Sequence, residues 1–172
     1  MLVDDEWLAR ENKRVKRALK EAKLRISHAC IEDIEYNARR ELDKATVRQL
    51  TICRWVTEHQ SILITGQTGT GKSYLACALA NQACRKGFRA CYRRAPRLYD
   101  ELQLARADGS YSRLLARFAK TDVLIIDDFA ITAITDTARR DLLEVLEDRH
   151  GLRATIITSQ LDPKLWHDYL TD

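Results

Sequence analysis

Eight residues, Gly66-Gln67-Thr68-Gly69-Thr70-Gly71-Lys72-Ser73, constrain this chain more than any other feature. They fill the pattern G-x-x-x-x-G-K-[ST] and sit between a short apolar run, Ser61 to Thr65, and a helical pattern, Lys72 to Lys86. Glycines at 66, 69 and 71 let the backbone wrap inward with no Cβ in the way, so several N–H groups converge on a small volume. A helix starting near Lys72 points the positive end of its dipole at the same volume. Such a loop is suited to a chain of phosphates, with Lys72 as a flexible point charge and the Ser73 hydroxyl as a ligand for Mg2+.

The surrounding texture predicts the fold. Strands are expected at Ser61 to Thr65, Ala90 to Arg93, Val123 to Asp127 and Ala154 to Thr158. Helices are expected at Lys72 to Lys86, Pro96 to Arg106, Ser110 to Ala119 and Asp136 to His150, with Pro96 as a starter and Gly87 and Gly151 as stops. Strand and helix alternate from residue 61 onward, which predicts a three-layer α/β domain: a parallel sheet covered on both faces by right-handed crossovers. The nearly unbroken apolar run Val123-Leu124-Ile125-Ile126 fits a central strand. Ahead of it, Leu8, Val15, Leu19, Ala22 and Ile26 recur at helical spacing, predicting an amphipathic helix over residues 5 to 26, and a second helical pattern runs from Lys44 to Glu58. At 172 residues the chain suits one domain, read as a basic helical arm and linker over 1–43 and a P-loop core over 44–172.

Two further elements carry chemistry. The strand Val123 to Ile126 runs into Asp127-Asp128-Phe129. With a phosphate loop nearby, Asp127 is placed to hold Mg2+, through water, and Asp128 to orient or deprotonate an attacking water. The strand at Thr155 to Thr158 ends in the polar triplet Thr158-Ser159-Gln160, one of which is expected to contact a terminal phosphate or that water. All three elements lie at the carboxyl ends of predicted strands, where open parallel sheets bind ligands.

Net charge is only +4, but it is sorted along the chain. Residues 10 to 25 hold eight Lys or Arg against Glu11 and Glu21, and residues 85 to 120 hold ten against Asp100, Glu101 and Asp108. These two segments on an otherwise acidic chain point to a polyanion such as DNA. The five cysteines (Cys30, Cys53, Cys77, Cys84, Cys91) show no paired spacing and read as reduced thiols, with Cys77 and Cys84 on one side of their helix. No histidine lies at metal-ligand spacing, so no zinc site is expected. No apolar run is long enough to cross a bilayer, and the start lacks a signal-like core, so a cytoplasmic protein with no membrane partner is expected.

The phosphate loop, the Asp-Asp-Phe strand end and the polar triplet, in this order, resemble the AAA+ ATPases of the initiator and helicase-loader branch. More narrowly, GKSYLACALANQACRKG, PRLYDELQLARADGSYSRLLARFAKTDVLIIDDF and TARRDLLEVLEDRHGLRATIITSQL are similar to the IstB family, the ATP-binding helpers of insertion-sequence transposition. That resemblance covers roughly residues 1 to 170. It implies ATP and Mg2+ as ligands, ATP hydrolysis, ATP-dependent self-assembly on DNA and partnership with a transposase. Carried over, it makes Gly66 to Ser73 with the adjoining Tyr74 the Walker A loop, Asp127 the magnesium aspartate of Walker B and Asp128 its catalytic acid, with Ser159 or Gln160 in the sensor-1 slot. The segment Pro96 to Lys120 resembles the insertion by which initiator-type ATPases touch DNA or a neighbouring subunit. Against the family pattern the chain is expected to lack N-terminal helical material, a fifth strand and an arginine finger, leaving an exposed sheet edge or apolar face and hence low solubility or reliance on neighbouring subunits. Two other roles stay open: a DnaC-like replicative helicase loader, and a nucleotide-binding module without turnover.

Overall fold

In the computed structural model, residues 2–37 and 41–171 are described. The first helix, α1 (Leu2–Ala22), ends four residues before the expected stop, because Lys23 adopts a left-handed backbone, φ 53°. That turn sends Leu24, Ile26 and Ala29 back towards the sheet. A short 3-10 turn (Ile31–Asp33) follows. Asp43 then caps α2 (Lys44–Thr51), its carboxylate accepting from the Ala45 and Thr46 N–H groups. The helical pattern expected through Glu58 is broken at Cys53, which has φ 60°, so that α3 (Arg54–Thr57) starts afresh at a new angle.

From residue 62 the alternation runs as the sequence predicts: β1 (Ile62–Thr65), α4 (Lys72–Arg85), β2 (Ala90–Arg94), α5 (Ala95–Asp108), α6 (Tyr111–Lys120), β3 (Val123–Phe129), α7 (Asp136–Arg149) and β4 (Ala154–Ser159). A 3-10 turn (Pro163–Leu165) leads into α8 (Trp166–Thr171). The four strands are parallel in the order β1-β4-β3-β2. Strand β3 lies inside the sheet, as its apolar run implies. Among the described residues β1 pairs only with β4, and Leu63 on it is 48% exposed.

Side chains alternate across β3 and divide the core in two. Val123 and Ile125 join Ala90, Tyr92, Ala154 and Ile156 against α4, whose buried side chains are small (Ala76, Cys77, Ala78, Ala80, Ala83 and Cys84) apart from Leu79. Small side chains let this helix lie close to the sheet. Leu124, Ile126 and Ile157 pack on the other face against Leu98 and Leu102 of α5, Leu115 and Phe118 of α6, and Leu142 and Val145 of α7. Each large buried side chain there contributes about 1.5–3 kcal/mol. The first layer runs across the expected boundary at residue 43: Ala22, Leu24 and Ala29 are buried in the same cluster as α4, so the end of the arm is part of the core. Among the described residues no helix is long and apolar enough to cross a membrane.

Candidate functional site

The loop from Gly66 to Gly71 leaves β1 and turns into α4 through left-handed glycines. Gly69 has φ 79° and Gly71, which precedes the first helical residue, has φ 92°. A Cβ at either would meet no neighbour within 4 Å, so backbone conformation rather than crowding requires glycine there. The loop folds around its own lysine. The Lys72 ammonium donates to the Gly66 carbonyl at 2.8 Å and the Gln67 carbonyl at 2.7 Å, and the Thr70 hydroxyl donates to the Gln67 carbonyl at 2.8 Å. Burial lowers the Lys72 pKa, while Asp128 and Asp127 oppose that shift.

Asp127 is fully buried. Its Oδ1 accepts the Ser73 hydroxyl at 2.9 Å and also the Thr158 hydroxyl, while Oδ2 accepts the Tyr92 hydroxyl. Burial and the neighbouring Asp127 carboxylate push the Tyr92 phenol far above its usual range, so it stays a donor. Asp128 is held differently. Its backbone is left-handed, φ 57°, and its N–H donates to the Thr158 Oγ1 at 3.0 Å. Its Oδ2 accepts from Arg94 Nε at 2.9 Å and lies 3.4 Å from Arg25 Nη1. The register between β3 and β4 explains this pair: Ile126 faces Ile157 and Phe129 faces Ser159, so both aspartates share the space opposite Thr158. This is a bulge, and it turns the two adjacent carboxylates to different surroundings.

At the end of β4 the structure separates the expected residues. Ser159 is buried; its hydroxyl donates to the Phe129 carbonyl at 2.7 Å and accepts from the Leu161 N–H at 3.0 Å, tying strand ends together. Gln160 is exposed and lines a cavity of about 620 Å³ with Thr68, Lys72, Ser73 and Asp128. Thr158, the first of the triplet, touches both aspartates. Tyr74 borders that cavity and a second of about 360 Å³, lined by Ile34, Leu42, Ile64 and Leu75 on its apolar side. The loop residues Gly71 and Lys72 stand between the two. One space is rich in charge and the other partly apolar, as a phosphate chain and a base require. In the sequence Arg25 and Arg94 read only as basic charge, and no local pattern ties Tyr92 or the apolar wall to the site.

The donor set fits the expected ligands. The left-handed backbone at Gly69 and Gly71, with open space where a Cβ would stand, suits a loop that presents N–H groups to phosphate, and the Ser73 hydroxyl beside the Asp127 carboxylate offers the oxygen ligands that Mg2+ takes.

Strand, glycine loop, helix and acid pair at one rim of a parallel sheet define an α/β P-loop domain of AAA+ type. The chain belongs to the IstB-like ATP binding protein family, which it matches over residues 1–172. It is 47% identical over 161 residues to the protein named as the ATP-binding protein of insertion sequence IS1162 of Pseudomonas fluorescens, covering 94% of this chain and 70% of that one. Among solved structures, it shares the fold of AMPPCP-bound DnaA from Aquifex aeolicus, with TM-score 0.68 and 18% identity over 83% of this chain and 47% of that chain. It likewise shares the fold of the DnaC helicase loader, with TM-score 0.67 and 18% identity, covering 82% of this chain and 84% of that chain.

Proposed function

We propose that this chain binds ATP with Mg2+ and hydrolyses it as a DNA-associated helper of an insertion-sequence transposase. The observation that carries the reading is the 2.9 Å contact between the Ser73 hydroxyl and Asp127, with Lys72 and Asp128 at the same cavity. Lys72 would leave its loop carbonyls to neutralise the outer phosphates. Ser73 and Asp127 would hold Mg2+, which when bound supplies charge neutralisation between the outer phosphates. Asp128 would accept a proton from the attacking water, and Gln160, on the open side of the cavity, would orient that water or the terminal phosphate. Ser159 would act through strand position, since its hydroxyl is already engaged. Asp128→Asn should keep ATP binding and lower hydrolysis about 100-fold or more, measured as phosphate release.

The two basic segments support the DNA part. They lie against each other: a Cβ at Gly87 would sit 2.9 Å from Arg14 Nη2, Arg89 approaches Glu21 at 3.9 Å, and Lys23, Arg89, Arg93 and Arg117 border one shared hollow. Neutralising phosphates over this face would make DNA affinity fall steeply with salt. A gel-shift of duplex DNA, with and without ATP at two salt concentrations, tests this; binding that ignores both would exclude it. Likeness to the DnaC fold supports the second reading, a helicase loader, and co-purification with the transposase rather than the replicative helicase decides between them. Self-assembly with ATP is part of the proposal, read from the rise in mass on adding nucleotide.

A further inference from the structure

Arg25 stands out because its sequence position gives no reason for it to be at the acid pair. It lies 103 residues from Asp128, yet its Nη1 is 3.4 Å from the Asp128 Oδ2 and 3.8 Å from the Asp127 Oδ2. It lines the same cavity as Thr68, Lys72 and Ser73. Its side chain is 50% exposed, whereas that of Asp128 is 15% exposed. Two features bring it there: the left-handed turn at Lys23 and the burial of Leu24 and Ala29 on either side. The backbone is therefore anchored while the guanidinium keeps room to move.

Arg94 approaches the same carboxylate, but in a different way. It closes β2, where it is in register with Asp127, and its Nε sits at hydrogen-bond distance, 2.9 Å. Arg25 has the longer, looser contact. Lys72, Arg25 and Arg94 face Asp127 and Asp128 across one rim, so positive charge is in excess there before any ligand arrives. A group beside Asp128 is also at the far end of a phosphate chain whose near end rests on the loop, because Asp128 is the residue proposed to face the attacking water.

We infer that Arg25 is a terminal-phosphate ligand supplied by the chain's own N-terminal segment, held on the acid pair until a triphosphate takes over its guanidinium. This rests on the ATP-binding reading above. The exchange would release Asp128 from one of its two arginines when the third phosphate is present, and would tie residues 23–34 to the nucleotide. Arginine suits this role because its planar fork can leave one pair of oxygens for another with little loss of geometry.

The test is selectivity between ATP and ADP. Affinities for a non-hydrolysable ATP analogue and for ADP, each with Mg2+, are measured by calorimetry on the wild type, Arg25→Ala and Arg25→Lys. Arg25→Ala should weaken the triphosphate about 10- to 100-fold and ADP by less than about 2-fold, and Arg25→Lys should recover part of the loss. Equal losses for both nucleotides, no loss for either, or tighter triphosphate binding would overturn the assignment. A second measurement needs no variant: the triphosphate, and not ADP, should slow tryptic cleavage after Lys23 and Arg25 in the wild type. Equal protection by both, or by neither, would count against it. Failure of the wild type to bind any nucleotide sinks the ATP reading itself, whereas binding with no selectivity for Arg25 sinks only this inference.

Discussion

The two ends of the sheet both bury charged groups, but they treat them in opposite ways. At the amino end of β3 and β4, Arg149 is 1% exposed and faces carbonyls rather than a carboxylate. Its guanidinium donates to the carbonyls of Phe118, Thr121 and Ala154, and its Nε donates to the Thr155 hydroxyl at 3.1 Å. Burial pulls its pKa down to about 10, still high enough to keep it charged at neutral pH. At the carboxyl end, Lys72 rests on two loop carbonyls and Asp128 on two arginines, beside an open cavity. At the first end the guanidinium is enclosed by its own carbonyl acceptors, a set of bonds that is permanent in the folded chain. The second is the set of bonds that, under the proposed function, phosphate oxygens would replace.

Arg149→Ala probes the permanent end and should have the largest effect. It removes a fully buried side chain and strands several carbonyls, so urea denaturation should show about 3–5 kcal/mol of lost stability. ATP affinity of the folded fraction should not change; a fall in affinity alone would break the contrast between the two ends. Lys72→Ala should give the reverse pattern. ATP affinity should drop about 100-fold, while unfolding without nucleotide moves by about 1 kcal/mol or less. A Lys72→Ala chain that unfolds as readily as Arg149→Ala would show that the exchangeable end is structural too.

A smaller effect sharpens the comparison within the carboxyl end. Arg93 and Arg94 are consecutive on β2 and point to opposite faces, Arg94 to Asp128 and Arg93 to Glu101. Glu101 accepts from Arg93 at 2.6 Å and from Arg117 at 3.0 Å. Burial alone would raise the Glu101 carboxyl, but the bonds and charge of Arg93 and Arg117 outweigh it and hold it below its usual value. A depressed carboxyl contributes stability above its unfolded pKa and loses it as pH falls through the folded value. Wild type should therefore exceed Glu101→Gln by about 1 kcal/mol or less near pH 6, with the gap closing below about pH 4.5, in denaturation midpoints taken across that range.

Much of the site was legible because it is local. The glycine loop needs its residues in a fixed order, and an apolar strand that ends in two acids is conspicuous. The four strands and the helices between them followed from short apolar runs alternating with helical patterns and from Gly87 and Gly151 as stops, whereas α8 had no such signal. What escaped was set by contacts across the sheet. Nothing in Thr158-Ser159-Gln160 tells which hydroxyl meets Asp127; the bulge that sets two residues of β3 against Thr158 decides it. Arg25 looked like one more charge on a basic helix, because the left-handed turn at Lys23 that carries it to Asp128 has no glycine to announce it. The split of the second helix at Cys53 was hidden for the same reason.

The strand order has a consequence for how the molecule is made. Among the described residues β1, which launches the glycine loop, hydrogen-bonds only with β4, which follows both β2 and β3 in the chain. During translation β1 must wait for this partner until Ala154–Ser159 leaves the ribosome, while β2 and β3 can already join. The Gly66 N–H finds its acceptor, the Ser159 carbonyl at 3.2 Å, only then. Nascent chains stalled before that point would carry every residue of the loop without the strand that braces its start.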